Sequence, residues 1–322
     1  MRLSEKLVKH LKKGKNLLAF SYGSDSTALF YTLLEKGISF DLAMVNYKKR
    51  PQSDEEEQEA RKLAQEFGKK IFIKRALNFK SDFQNKARAF RYEFFAKICE
   101  EFAYENVLVA QHLNDRFEWF LRQFARGAGV LELLGMKELE KRAKFTLIRP
   151  FLNHSKAEIL DFLEKKNILF FNDESNENEQ YQRNFFRKHF ATPFMQEFHR
   201  GVAKSFAYLE KDAKALFDDE LAEFEGILKC AFNESLIARA VKKKGIVMSA
   251  KQRKELEKGD IVVSGKVGVV KMGQKALIFE YVKCEKIPKI HKELYRKAQI
   301  PKLLRPYLYS KHIKLDEFMA WL

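Results

Sequence analysis

Residues 16–27 read Asn16-Leu17-Leu18-Ala19-Phe20-Ser21-Tyr22-Gly23-Ser24-Asp25-Ser26-Thr27. A short apolar run passes through a turn of small, hydroxyl-bearing residues into a helical pattern. Asn16 to Phe20 shows no polar alternation, which fits a strand buried on both faces. From Thr27 to Gly37 the apolar Leu29, Leu33 and Leu34 fall on one side of a helix. Strand, tight turn and helix in that order gather backbone N–H groups, Ser hydroxyls and a helix N-terminus around one point, an anion cradle. Ser21, Gly23, Ser24 and Ser26 supply its small side chains and donors. Asp25 is its one carboxylate, and a carboxylate in a phosphate grip makes chemical sense when Mg2+ bridges it to phosphate oxygens. The Gly-Lys-Ser/Thr of a Walker loop is missing. A helix N-cap in a Ser-rich turn is the plainer reading of the same residues.

The alternation continues outward. Phe40–Asn46, Lys70–Ala76 and Asn106–Ala110 read as strands; Asp54–Gly68, Asp82–Ala103 and Leu113–Arg126 read as helices. Four βα units in series predict an α/β fold, a doubly wound parallel sheet with helices on both faces. Ligands of such sheets bind at the carboxyl ends of the strands, here after Phe20, Asn46, Ala76 and Ala110. Ser155–Lys165 is a further helix, Asn172–Asn184 a polar loop and Glu197–Leu228 a long helix joining two domains. Beyond Cys230 the runs Ile261–Ser264, Lys266–Met272 and Ala276–Val282 suggest a small α+β domain. The expected division is a Rossmann-like domain over 1–194, a helical linker over 195–229 and a basic domain over 230–322.

Composition narrows the class. The 322 residues suffice for two domains, and 46% hydrophobic with 33% charged residues is a globular balance. Three scattered cysteines, Cys99, Cys230 and Cys284, form no Cys-x-x-Cys pair, against a disulfide scaffold or a cysteine-ligated metal site. No apolar run reaches membrane-span length, and Met1 to His10 lacks the apolar core of a signal peptide. The reading is a soluble, reduced, cytoplasmic protein with no membrane partner. A net charge of +17 points to a polyanion, and nucleic acid is the commonest.

A second constellation follows the fourth strand: Ala110-Gln111-His112-Leu113-Asn114-Asp115-Arg116-Phe117-Glu118. His112 stands at a strand exit. Asp115 and Glu118 lie three apart and share a helix face. Two acids there can hold a substrate ammonium or take its proton; a surface acid pair with Arg122 is the alternative.

Residues 21–26 resemble the Ser-Gly-Gly-x-Asp-Ser signature of the PP-loop ATP pyrophosphatases, with Tyr22 in place of the first glycine. Other segments resemble, in order, motifs of the tRNA(Ile)-lysidine synthetases. Ala87-Arg88-Ala89-Phe90-Arg91-Tyr92 is similar to Ala-Arg-x-x-Arg-Tyr, and His112 to Glu118 to His-Leu-Asp-Asp-Gln-x-Glu. Ile148-Arg149-Pro150-Phe151-Leu152 is similar to Ile-Arg-Pro-Leu-Leu. Asn172 to Asn176 and Arg183-Asn184-Phe185-Phe186-Arg187 are similar to Asp-Glu-Ser-Asn and Arg-Asn-x-x-Arg. Lys292-Glu293-Leu294-Tyr295 and Ile300 to Arg305 are similar to the C-terminal Lys-Lys-Leu-Phe and Ile-Pro-x-x-Leu-Arg. The resemblance is dense from Asn16 to Arg187 and patchy beyond. Asn114 stands where the family has the first of two Asp, and Tyr47 where it often has His.

The resemblance implies a two-step reaction. ATP adenylates the C2 carbonyl oxygen of the wobble cytidine in a tRNA(Ile) with a CAU anticodon. The amine of free L-lysine then attacks C2 and expels AMP. ATP and Mg2+ are implied as cofactors, with Asp25 as the metal ligand and residues 21–26, Tyr22 included, as the nucleotide-binding loop. Asp115 is implied as base or orienter and Glu118 as a partner for the lysine amino groups. Arg88, Arg91, Arg183 and Arg187 are candidate grips for phosphate or the lysine carboxylate, and His112 for the base or ATP. Phe90, Tyr92 and Phe117 are candidates to receive the unstacked base. Basic residues at 242–244, Lys251, Arg253, Lys254, Lys297, Lys302 and Arg305 are candidate tRNA contacts. The oligomeric state stays open, a homodimer included. The alternatives are another PP-loop enzyme, either a tRNA thiolase or a small-molecule amide ligase, and a non-catalytic tRNA-binding protein.

Overall fold

The computed structural model describes residues 1–48, 52–76, 83–171, 182–217, 221–283 and 286–322. The chain divides into two compact units, Met1–Glu210 and Lys211–Leu322.

The first unit runs α1 (Glu5–Lys13), β1 (Asn16–Ala19), α2 (Ser24–Glu35), β2 (Phe40–Asn46), α3 (Gln52–Glu66), β3 (Ile71–Arg75), α4 (Phe83–Phe102), β4 (Asn106–Leu108) and α5 (Leu113–Phe124). It continues through α6 (Val130–Leu134), β5 (Leu139–Lys141), β6 (Thr146–Ile148), α7 (Lys156–Lys165) and α8 (Gln182–Phe186). A π-helical turn over Arg187–Ala191 leads into α9 (Thr192–Leu216). The sheet order is β3-β2-β1-β4-β6-β5, parallel except for the antiparallel edge strand β5. The sequence reading foresaw four of these strands. It missed β5 and β6, whose three residues each are too few to show a period. The strand order turns outward on either side of β1 and β4, so their carboxyl ends flank the switch point where doubly wound sheets bind ligands.

The apolar run of β1 is buried on both faces, as its composition requires. Leu18, with Leu42, Leu108 and Ile148, packs under Leu29 and Leu33 of α2, Leu63 of α3 and Ile159 of α7. Leu17, with Ala43, Val107 and Leu147, packs on the opposite face under Phe95, Ile98 and Cys99 of α4. Strand side chains alternate, so neighbouring leucines serve two separate cores. Each is fully buried, which contributes about 1.5–3 kcal/mol.

Helix α2 begins at Ser24, three residues before the sequence reading placed it. Asp25 therefore sits in the first turn, where the helix dipole favours a carboxylate. The helix expected over 197–228 is corrected at both ends. Observed α9 starts at Thr192 and ends at Leu216, and two strands, β7 (Ala222–Phe224) and β8 (Ile227–Ala231), follow within the stretch read as linker. Glu225 and Gly226 between them both have positive φ, the pattern of a tight hairpin turn that no helix can hold. Tyr307 Oη donates to Glu225 O at 2.9 Å, and a Cβ at Gly226 would stand 2.6 Å from that hydroxyl.

The second unit adds α10 (Glu234–Lys243), α11 (Ala250–Glu255), β9 (Ile261–Val263), β10 (Val267–Met272), β11 (Lys275–Glu280), α12 (Lys289–Lys297), α13 (Arg305–Ser310) and α14 (Leu315–Trp321). Its antiparallel sheet has the order β7-β8-β11-β10-β9. Ile227, Leu277 and Phe279 pack against Tyr295, Tyr307 and Phe318. Cys99 and Cys230 are buried; Cys284 and the Asn172–Asn176 motif lie outside the described residues. Among the described residues no helix is long and apolar enough to cross a membrane.

Candidate active site

The β1–α2 turn holds itself in shape. Ser26 Oγ accepts the Ser21 N–H at 3.2 Å and donates to Gly23 O at 3.1 Å. Ser21 and Ser26 hydroxyls are 3.2 Å apart. In front of Gly23 the space is open, since an added Cβ would meet only Ser21 Oγ, at 3.5 Å. Tyr22 takes φ +59°, a conformation that glycine adopts freely and a side chain does not. Such a residue costs about 1–2 kcal/mol. The ring offsets this by lying edge-on between Phe20 and Phe171, with centroids 5.3 Å from each. Edge-to-face aromatic pairs contribute about 0.5–1.5 kcal/mol apiece beyond burial. Phe171 N–H also donates to Tyr22 O at 3.0 Å. The residue that departs from the family signature is thus pinned rather than merely tolerated.

Asp25 meets two cations. Lys156, the first residue of α7, donates to Asp25 Oδ1 and to Ser24 Oγ, both at 2.6 Å. His112 Nε2 lies 3.6 Å from Asp25 Oδ2. Burial opposes ionisation of Asp25, but His112 and Lys156 outweigh it and hold the carboxyl down to about 2. Sequence reasoning missed Lys156. Its one signal was a Ser-Lys pair opening a helix after Pro150, and nothing in that spacing relates it to residues 131 positions earlier. Asn114 helps to place it: Asn114 Oδ1 accepts the Lys156 backbone N–H at 2.9 Å. An amide oxygen performs this acceptor role as a carboxylate would, which gives the Asn114 departure a structural reason.

His112 is buried, and its Nε2 is also 3.6 Å from Asp115 Oδ2. The Asp115 carboxylate accepts the His112 N–H at 3.1 Å, which fixes the strand exit against the first turn of α5. Burial disfavours the imidazolium, yet Asp115 and Asp25 raise the His112 pKa above its ordinary value. Its Nδ1 is buried with no hydrogen-bond partner.

Asp115 and Glu118 do share a face of α5, and that face receives Arg183 of α8 and Arg187 of the π-helical turn. Arg183 donates to Asp115 Oδ1 at 2.5 Å and to Glu118 Oε2 at 2.9 Å. Arg187 Nε donates to Glu118 Oε1 at 2.5 Å. The two acids and two guanidiniums form a quartet of opposite charges. Burial pushes the Asp115 pKa up, but His112, Arg183 and Arg187 together bring it below the carboxylate range. Glu118 hydrogen-bonds Arg183 and Arg187, while Arg122, the alternative raised from helical spacing, feels only its field.

Arg88 and Arg91 do not join this quartet. Both are exposed on α4, where Arg88 lies over the Tyr92 ring at 4.9 Å and Arg142 over the same ring at 4.1 Å. Crowding by neighbouring side chains and the fields of Arg91, Arg142 and Arg149 lower the Arg88 pKa, and with Arg88 and Arg142 on one ring these four form a second cationic cluster. Arg149 ties it to the strand exit by donating to Gln111 Oε1 at 2.7 Å. Tyr47 donates to Ala87 O at 3.1 Å. Phe117 is buried and cannot receive a base, whereas Tyr92 is half-buried beneath its arginines.

The residues present fit a magnesium nucleotide. Asp25 is an ionised carboxylate in the first turn of α2, two residues from the open space in front of Gly23, and it pairs with Lys156. One protein carboxylate combined with substrate phosphates is the usual way in which Mg2+ is held.

Comparison with known proteins agrees with this geometry. A family model described as a PP-loop domain matches residues 1–193. A tRNA(Ile)-lysidine synthase of Campylobacter jejuni (strain RM1221) is 55% identical over 98% of this chain and 99% of its own. One from Helicobacter pylori (strain ATCC 700392 / 26695) is 36% identical over 94% of this chain and 92% of its own. Among solved structures, a U34-tRNA thiolase from Methanococcus maripaludis superposes with TM-score 0.51 at 16% identity, covering 64% of this chain and 77% of that one, a likeness of fold alone. With near full-length identity of this order and a PP-loop over more than half its length, the chain belongs to the tRNA(Ile)-lysidine synthase family.

Proposed function

We propose that this protein is a carbon–nitrogen ligase that uses ATP to activate the wobble cytidine of a CAU-bearing tRNA(Ile) and joins L-lysine to it, releasing AMP and pyrophosphate. The observation that carries the reading is His112, which touches both the anion cradle through Asp25 and the charged quartet through Asp115. An activation half and a nucleophile half thus meet at one strand exit.

The β1–α2 turn is assigned to the phosphates of ATP, with Ser21, Ser24, Ser26 and the α2 N-terminus as donors. Lys156 neutralises charge on the departing pyrophosphate, where preorganised cations act most strongly. Asp25 would hold Mg2+, which would add further neutralisation there. Lysine carries two ammonium groups and one carboxylate, and the quartet offers both signs. Asp115 and Glu118 receive ammonium, and Arg183 and Arg187 receive carboxylate in a bidentate fork. The Asp115 carboxylate is held by Arg183 and faced by Arg187, so of the two roles open to it we assign orientation. Residues 1–194 carry the chemistry and residues 230–322 contact tRNA. A groove of about 400 Å3 lined by Lys292, Arg296, Lys302 and Arg305, with Glu293 as its one acid, carries a net positive charge that suits phosphate. A tRNA substrate places the protein in the cytoplasm.

The test combines the protein with ATP, Mg2+, radiolabelled lysine and a CAU-bearing tRNA(Ile) transcript, with initiator tRNA(Met) as control. Label should enter the isoleucine tRNA alone, and Asp115→Ala should abolish it. AMP formation without label would mean a different nucleophile, and neither signal would leave a tRNA-binding protein.

A further inference from the structure

The helical segment from Phe185 to Phe198 carries phenylalanines that no core absorbs. Phe185, Phe190, Phe194 and Phe198 are 42%, 49%, 45% and 57% exposed. The last three recur every four residues, so they form one stripe along α9 and the turn before it. The neighbouring stripe, Ala191, Met195, Val202 and Phe206, is the one that packs against Leu113 and Phe117 of α5. The exposed rings belong to a ladder. Phe194 lies 5.1 Å from Phe117, Phe117 stacks with Phe120 at 6.1 Å, and Phe120 with the 65% exposed Phe124 at 5.8 Å. Phe198 extends it, 4.9 Å from Phe194.

Two features say what covers this surface. It is continuous with the charged quartet, since Asp115 and Glu118 share α5 with Phe117, and Arg187 lies on the same π-helical turn as Phe190. It is flanked by cations, the exposed Lys188, Arg200 and Lys204 on its own segment and Arg126 beyond Phe124. Aromatic faces between basic side chains are the chemistry of single-stranded nucleic acid, whose bases stack on rings while its phosphates meet the cations.

We propose that Phe190, Phe194, Phe198 and Phe124 form a stacking platform for unpaired bases of an RNA loop, holding the nucleotides beside the target while the target base enters the site. This rests on the reading of the protein as a tRNA-modifying enzyme and names a surface that reading does not require.

The test titrates the full-length protein with a 17-nucleotide CAU-loop hairpin and with a duplex RNA of matched charge. Phe194→Ala and Phe198→Ala should each weaken hairpin binding by roughly tenfold and leave duplex binding unchanged. Phe194→Trp and Phe198→Tyr should restore it. In turnover the alanine variants should raise KM for tRNA and leave KM for ATP and lysine unchanged. Equal hairpin affinity in wild type and alanine variants overturns the platform, as does a wild-type dimer that Phe194→Ala dissociates, because the stripe would then cover a second copy. If wild type binds the hairpin through these rings but incorporates no lysine, the platform stands and the lysidine reading falls. If wild type incorporates lysine and the variants match it in binding and KM, the reverse holds.

Discussion

Lys156 Nζ donates to Asp25 Oδ1 at 2.6 Å, joining the N-terminus of one helix to the first turn of another. The ammonium also reaches Ser24 Oγ at 2.6 Å, so it touches two residues of the β1–α2 turn. Lys156→Ala should lower kcat/KM for ATP by about 10²-fold, the usual loss when one preorganised charge donor is removed. KM for lysine should not change. Pyrophosphate release under saturating tRNA measures it, and a variant within threefold of wild type removes Lys156 from the reaction.

The histidine between the two acids makes stability depend on pH in a set direction. Folding raises the His112 pKa above 6.5, so the folded state binds that proton more tightly. The resulting stabilisation is complete below 6.5 and fades as pH rises through the higher folded value. Asp25 acts oppositely: its contribution is present above 3.8 and is lost as pH falls toward about 2. Urea unfolding of His112→Gln against wild type from pH 5 to pH 9 should show the largest difference at the acid end. A constant difference would mean that folding leaves the His112 pKa unshifted.

Glu118 is 3% exposed and holds two guanidiniums. Glu118→Ala removes one carboxylate partner from each and should cost about 3 kcal/mol. Adding Arg187→Ala should cost less than the sum of the single changes, because the second removes a charge the first left stranded. Strict additivity in thermal or urea unfolding would show that the quartet is not an energetic unit.

Tyr22→Gly relieves a backbone cost of about 1–2 kcal/mol. It also removes two edge-to-face contacts of about 0.5–1.5 kcal/mol each, together with the burial of the ring. The variant should lose about 1 kcal/mol or less, whereas Tyr22→Ala keeps the strain, loses the ring and should lose about 2 kcal/mol. Denaturant midpoints rank the two, and a reversed order refutes the pinned-loop account.

Much of the first unit was legible in the chain itself. Leu17 and Leu18 are adjacent and both apolar because the strand between them and the helices is covered twice, and that demand leaves a composition no surface strand shares. Asp115 and Glu118 could be placed on one face because three residues nearly complete a helical turn. The residues missed are of a different kind. The hairpin at Glu225–Gly226 interrupts what reads as a helical run, since positive φ leaves little trace beyond a single glycine. The strands β5 and β6 are too short for periodicity.

The sequence by itself determined the alternation of strands and helices, the position of the anion turn at a strand exit, and the family, because each is carried by residues close together in the chain. Only the tertiary structure decided that Lys156 covers Asp25, that Arg183 and Arg187 close on Asp115 and Glu118, and that Arg88 and Arg91 belong to a separate cationic cluster. Those contacts span 65 to 131 residues or depend on which helix face turns toward a neighbour. Local spacing holds no record of such distances, because they are set by how the sheet stacks its helices after the local elements have formed.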